Sequence, residues 1–288
     1  MEGVLVALVT PFKDGSVDYP ALKELIDFQI ENGTDGIVSC GTTGESATLT
    51  TEEKKKVIET TIEYVNKRAQ VIAGTGSNDT RATASLTKWA KEAGADGALL
   101  VTPYYNKPTQ EGLYRHYKEV AKIGLPLCLY NVPSRTSVSL SVETIARLSE
   151  LDEVVAIKEA TASMEFASQI MEACGDRINL ISGDDPTFLP LLSVGGKGII
   201  SVASNIVPKL LASIYDHYLL GSLSQAREAH YYLLPLMKAL FIETNPIPVK
   251  TALALMGKIR LEFRLPLCNM SEEHLFKLQD VMGRYELV

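Results

Sequence analysis

Gly94-Ala95-Asp96-Gly97-Ala98-Leu99-Leu100-Val101-Thr102-Pro103 reads as a helix end, a short buried strand and the loop that leaves it. Gly94 is suited to close the helix. Ala98–Val101 is a continuous apolar run without polar alternation, the pattern of a parallel strand covered on both faces. The passage recurs: Gly33-Thr34-Asp35-Gly36-Ile37 carries a helix end into a strand, and Gly195-Gly196-Lys197-Gly198-Ile199 does so again.

Working outward, eight such runs emerge: Val4–Val9, Gly36–Ser39, Val71–Gly74, Ala98–Val101, Leu127–Tyr130, Val154–Lys158, Asn179–Ser182 and Gly198–Val202. Amphipathic segments separate them. Thr50-Thr51-Glu52-Glu53 supplies a cap and first-turn acids ahead of Val57, Ile58 and Ile62. Thr109-Gln110-Glu111 and Ser141-Val142-Glu143 open further helices, and Gly33, Gly94 and Gly124 close others. Repeated βα units build either an open doubly wound sheet or a closed barrel. Eight strands of similar length, with no Gly-x-Gly-x-x-Gly after the first, favour an α/β fold of the (β/α)8 barrel type. From about Ser222 the strands stop, and three helices follow near Ser224–Thr244, Ile247–Gly257 and Ser271–Arg284. The expected organisation is a barrel over residues 1–222 carrying the active site, with a C-terminal helical subdomain over residues 223–288.

Composition narrows the function class. The 288 residues carry a formal net charge of −7, which argues against a nucleic-acid partner, since displacing phosphate counterions needs a basic surplus. No apolar run reaches the roughly 18 residues of a membrane span. The amino terminus shows neither a basic stretch nor a small-residue cleavage site, so no signal peptide is expected. Cys40, Cys128, Cys174 and Cys268 have no paired spacing, and three lie in or beside apolar segments. Free thiols in a reducing cytoplasm are the expectation. His116, His217, His230 and His274 match no metal motif, so neither a metal nor a cofactor is expected.

A (β/α)8 barrel places its chemistry at the carboxyl ends of the strands. Lys158 directly follows Val154-Val155-Ala156-Ile157. Desolvation at such a wall favours a neutral amine, and a neutral amine can attack a ketone to form an imine. The alternative is a lysine that reaches solvent or pairs with Glu159. Tyr130 ends the neighbouring strand and Tyr104-Tyr105 follow strand four; a phenol near an imine can pass protons to and from it. Gly41-Thr42-Thr43-Gly44 lacks the lysine of a phosphate-binding loop, yet its amides can cradle a small carboxylate, or it is an ordinary turn. Arg135, on a proline-stiffened loop, can grip a carboxylate bidentately or stand as a surface arginine.

Several stretches carry a resemblance along essentially the whole chain. They are Gly41–Leu49, Val101–Asn106, Tyr130–Thr136, Ile157–Thr161, Ser182–Asp185 and Asn245–Lys250. In these the chain resembles the dihydrodipicolinate synthases of the N-acetylneuraminate lyase superfamily. The resemblance implies that Lys158 forms an imine with pyruvate and that Tyr130 transfers protons, linked through Thr43 to Tyr105. It also implies that Tyr105 reaches across from a neighbouring subunit, giving a homo-oligomer of at least two chains and usually a tetramer of tight dimers. Thr42 and Thr43 would bind the pyruvate carboxylate, and Arg135 the carboxylate of aspartate semialdehyde. Carbonyls of Gly183 and Ile200 would shape the pocket. The implied product feeds lysine and diaminopimelate synthesis.

Ser46, Ala47, Asn78 and Tyr104 match the site where regulated members bind lysine. Thr51 and Lys54, however, stand where strongly regulated Gram-negative members have histidines, and Ala82 where they have a glutamate. Losing an acid and gaining a cation weakens the hold on a ligand with two ammonium groups, so feedback is expected to be weak or absent. Two other readings compete. A sibling pyruvate aldolase, acting on N-acetylneuraminate or keto-deoxy sugar acids, shares the lysine and tyrosine but is opposed by Arg135 in its Pro-Ser-Arg-Thr setting. A non-catalytic barrel sensing pyruvate or an amino acid is opposed by the intact Lys158, Tyr130 and Thr43.

Overall fold

A computed structural model describes all 288 residues. In chain order the strands are β1 (Gly3–Ala7), β2 (Phe12–Lys13), β3 (Ser16–Val17), β4 (Gly36–Ser39), β5 (Gln70–Gly74), β6 (Gly97–Val101), β7 (Leu127–Asn131), β8 (Val154–Glu159), β9 (Asn179–Ser182) and β10 (Gly198–Ser201). The helices are α1 (Tyr19–Glu31), α2 (Thr51–Val65), α3 (Thr80–Ala93), α4 (Gln110–Ala121), α5 (Pro133–Thr136), α6 (Val142–Leu148), α7 (Met164–Cys174), α8 (Phe188–Ser193), α9 (Pro208–Leu219), α10 (Leu223–Ala239), α11 (Ile247–Leu255) and α12 (Glu272–Gly283). The strand order β1-β10-β9-β8-β7-β6-β5-β4 is that of a closed barrel, the (β/α)8 architecture read from the eight apolar runs. β2 and β3 form a separate two-stranded hairpin.

Contacts divide the chain into two compact units: Met1–Gly3 with Gln70–Ile200, and Val4–Ala69 with Ser201–Val288. In the first, β5 to β9 pair in parallel succession, and β9 pairs with β10. Every residue of β7 is buried, as the lack of alternation in Leu127–Tyr130 requires. One irregularity lies between β7 and β8. Leu127 pairs with Val154 but Cys128 pairs with Ala156, so Val155 is an extra residue in β8. Without that bulge the count would bring Ile157 opposite Tyr130; with it, Lys158 pairs with Tyr130. A one-residue slip exchanges the two faces of a strand, so the bulge decides which side chain of β8 meets Tyr130.

In the second unit β1 pairs in parallel with β4. α2 opens on a capping box: the Thr50 hydroxyl accepts from the Glu53 N–H at 3.2 Å while the Thr50 N–H donates to Glu53 Oε2 at 2.9 Å. α9 to α12 belong to this unit. The hairpin turns at Asp14-Gly15, both with positive φ (53° and 80°), the geometry of a tight hairpin turn. Two-residue strands leave too little apolar pattern to read, and the hairpin was not foreseen from the sequence. Of the cysteines, Cys40, Cys128 and Cys174 are buried, Cys268 is exposed, and all are free. No helix is long and apolar enough to cross a membrane.

Candidate active site

β7 and β8 end together on Asn131 and Glu159, one residue beyond the Tyr130–Lys158 pair. Lys158 is 5% exposed and Tyr130 6%, and the Lys158 Nζ lies 4.3 Å from the centroid of the Tyr130 ring. Only 5% of the lysine meets solvent, so it does not extend outward. Nor is it tied to Glu159. Strand alternation turns Glu159 the other way, and its carboxylate accepts from Asn131 Nδ2 at 2.9 Å and from the Thr161 N–H. Both uneventful readings of Lys158 fail on these contacts.

Gly183 closes the approach to the lysine. A Cβ placed there would stand 3.1 Å from Lys158 Cε, 2.8 Å from Ala160 Cβ and 3.0 Å from the Glu159 carbonyl oxygen. Only a residue without a side chain lets β9 run so close to the Lys158 stem. Ile200 is buried on β10. Near the amine, burial pushes the Cys128 thiol up to about 12, which leaves it protonated and unreactive.

Arg135 lies on α5, one helical turn opened by Pro133, rather than on the irregular loop expected from its proline. Proline is compatible with a first helical position because the N–H it lacks has no intrahelical partner there. Thr136 holds the turn in place: its hydroxyl donates to the Val138 carbonyl at 2.8 Å and accepts from Thr102 Oγ1 at 3.1 Å. Tyr105 follows β6 with φ 72° and is 89% exposed. Its neighbour Tyr104 is anchored through its carbonyl, which accepts from Asn78 Nδ2 at 3.2 Å.

In the second unit, Thr42 and Thr43 occupy the turn after β4, with Thr43 buried. Thr43 Oγ1 accepts from Asn245 Nδ2 at 3.0 Å, which leaves its proton available to another acceptor. Glu45, at positive φ (52°), ends the turn and forms an ion pair with Lys250, Oε1 to Nζ 2.5 Å, both side chains fully buried. Burial pushes the Lys250 ammonium below the usual lysine range, and the Glu45 carboxylate opposes that shift. Lys250 also donates to the Glu262 carbonyl at 2.7 Å and lies 4.3 Å from the Phe12 ring centroid. Ser46 and Ala47 lie on the turn after Glu45 and at its surface, while Asn78 and Tyr104 sit together in the first unit. Neither Asn245 nor the Glu45–Lys250 pair was singled out from the sequence. The signal was a lone lysine inside the apolar helix Ile247–Leu255, where an unpaired charge would be costly.

A buried strand-end lysine packed against a tyrosine, on a closed parallel barrel, defines the class of enzymes that work through an imine on a lysine amine. Within that class the chain belongs to the dihydrodipicolinate synthetase family, whose pattern matches residues 1–284. It is 59% identical over 288 residues to a 4-hydroxy-tetrahydrodipicolinate synthase of Thermodesulfovibrio yellowstonii, covering all of this chain and 99% of the relative. A synthase of the same name from Geobacter sp. strain M21 is 57% identical with the same coverage. The crystal structure of dihydrodipicolinate synthase from Aquifex aeolicus superposes with a TM-score of 0.98 at 52% identity, over 100% of this chain and 99% of that one.

Proposed function

We infer that this chain condenses pyruvate with L-aspartate-4-semialdehyde to give 4-hydroxy-tetrahydrodipicolinate, a step of lysine and diaminopimelate synthesis. The observation that carries the reading is the buried Lys158 amine beside the Tyr130 ring, in a chain that belongs to this family. The Lys158 nitrogen attacks the ketone carbon of pyruvate, and loss of water leaves a protonated imine. The imine withdraws electrons from the adjacent methyl group, which gives up a proton to form an enamine. The enamine carbon attacks the aldehyde of the second substrate. Its amine then adds to the imine carbon, closes the ring and releases Lys158.

Tyr130 serves as the proton-transfer residue, with Thr43 and Tyr105 completing its relay. Thr42 and Thr43 bind the pyruvate carboxylate, Arg135 binds the semialdehyde carboxylate, and the Gly183 and Ile200 carbonyls shape the pocket. The donor that Asn245 supplies to Thr43 supports the relay, because it leaves the threonine proton free to be passed on. The outward reach of Tyr105 supports its use by a second copy of the chain, in a tight dimer and a tetramer built from such dimers. The enzyme is cytoplasmic. Ser46, Ala47, Asn78 and Tyr104 form a degenerate lysine site that answers weakly or not at all; inhibition at micromolar lysine would contradict this.

Borohydride reduction in the presence of pyruvate tests the imine. A reduced pyruvyl adduct on Lys158, located by peptide mass spectrometry and absent in Lys158→Ala, is the expected result. Turnover of aspartate semialdehyde, and none of N-acetylneuraminate, separates this reading from the sibling aldolases. An adduct without turnover of the semialdehyde would overturn the substrate assignment.

A further inference from the structure

Behind the Tyr130–Lys158 pair, on the opposite face of β7 and β8, a second pair is enclosed. Asn131 is fully buried and Glu159 is 3% exposed. Glu159 accepts from an amide and a backbone N–H rather than from a cation: Asn131 Nδ2 to Oε2 at 2.9 Å, and the Thr161 N–H to Oε1. Asn131 Oδ1 in turn accepts from the Leu140 N–H at 3.0 Å, and its Nδ2 also reaches Ser139 Oγ at 3.3 Å. Two backbone bonds frame the pair, from the Ala160 N–H to the Asn131 carbonyl at 3.0 Å and from the Gly183 N–H to the Glu159 carbonyl at 2.7 Å. A carboxyl buried among uncharged groups is costly, and burial raises its affinity for a proton while these donors oppose that shift. A strand end needs no such group for packing alone. The direct link runs between the residues that follow the tyrosine and the lysine.

We propose that Asn131 and Glu159 are positioning residues for the imine chemistry. Their hydrogen bond fixes the ends of β7 and β8 against each other from behind. It thereby fixes the spacing and orientation of the Tyr130 hydroxyl relative to the Lys158 nitrogen. The proposal rests on the imine reading of Lys158. It adds that proton transfer, more than substrate binding, depends on a contact the substrate never touches.

Donor and acceptor can be exchanged across this contact. Glu159→Gln leaves an amide donor facing either the Asn131 amide or the Thr161 N–H. Asn131→Asp sets two carboxyl groups against each other. The double variant N131D/E159Q restores the pairing between the two strands, with the Ser139 hydroxyl turning from acceptor to donor. Its amide on β8 donates to the carboxylate on β7 and accepts from the Thr161 N–H, and that carboxylate also accepts from the Leu140 N–H. Two readouts need no second substrate, namely borohydride trapping of pyruvate and exchange of pyruvate methyl protons with deuterated water. Each folded single variant is expected to lose about 10- to 100-fold in kcat and in proton exchange. The pyruvate KM should stay within about threefold, since ground-state binding is untouched. The double variant is expected to recover most of the loss. Folded single variants with unchanged exchange, or a double variant no better than the worse single, would overturn the proposal. If the single variants do not fold, the double variant is compared with the apolar pair N131L/E159M; equal activity of the two would likewise overturn it. A wild-type protein that forms no pyruvate adduct is a different result and defeats the imine reading itself.

Discussion

Replacing Lys250 by methionine removes one half of an ion pair whose two side chains have no exposure at all. The methionine keeps most of the stem that packs against Phe12 and Phe263. What is lost is the 2.5 Å contact to Glu45 and the 2.7 Å bond to the Glu262 carbonyl. Glu45 is then buried with a long contact from the Arg264 N–H, 3.4 Å, and the more distant Arg264 guanidinium to offset its charge. Breaking a buried pair from one side typically costs about 3–5 kcal/mol, mostly the penalty of the stranded charge. At roughly 2–4 °C per kcal/mol for a chain of this size, the melting temperature should fall by about 6–20 °C. The double variant E45Q/K250M strands no charge and should recover at least about 2 kcal/mol relative to the sum of the single losses. Thermal and urea unfolding of the four proteins closes the cycle. A Lys250→Met protein within about 1 kcal/mol of wild type, or strictly additive losses, would refute the reasoning that the pair is needed because each charge is buried.

Tyr130→Phe keeps the ring against Lys158 and removes the hydroxyl; turnover should drop by about 10²–10⁴-fold while the pyruvate adduct still traps. Equal turnover in the steady-state assay would exclude proton transfer by this phenol. Gly183→Ala forces a methyl group to within 3.1 Å of Lys158 Cε. It should cost about 1–3 kcal/mol in unfolding and slow adduct formation with pyruvate. Acid stability should fall in two limbs. Burial holds His116 at about 4 against an ordinary 6.5, and the Arg264 guanidinium holds Glu53 at about 2 against 4.5. In both cases the unfolded chain takes up protons first, so stability is lost as pH falls from 6.5 to 4 and again from 4.5 to 2. Arg264→Leu should flatten only the lower limb, worth about 1–2 kcal/mol after solvent screening, when melting temperature is followed against pH.

The barrel was legible because most of its strands are continuous apolar runs set off by a glycine or a capped helix, and burial on both faces demands that pattern. Thr50, Thr109 and Ser141 each cap the helix they precede, as their side chains promise. Lys158 was legible for the opposite reason: a charge at the end of Val154–Ile157 contradicts its surroundings. Its neighbours in space were harder. That Tyr130 faces Lys158 depends on a bulge at Val155, and nothing in a run of valines marks which one is the extra residue. Glu159 looked like a partner for Lys158 because they are adjacent in the chain, yet alternation sends the two to opposite faces. Asn245 meets Thr43 across 202 positions of sequence. A lone asparagine before a proline carries no local signal of such a contact.

The one-turn helix Pro133–Thr136 bears on how such an enzyme changes its diet. Arg135 is presented on four residues between the end of β7 and the segment leading to α6, held through Thr136 by Thr102 and by the Val138 carbonyl just beyond the turn. Lys158 and Tyr130, by contrast, are built into the strands. On the proposed roles, the imine-forming half of the reaction therefore sits on barrel framework that tolerates little alteration. On the same reading, the half that chooses the second reactant sits on a short turn outside the strands, tied to them through Thr136 and Thr102. On that reading, a different four-residue turn that keeps the threonine bonded to Thr102 would change the acceptor while leaving the imine-forming pair in place.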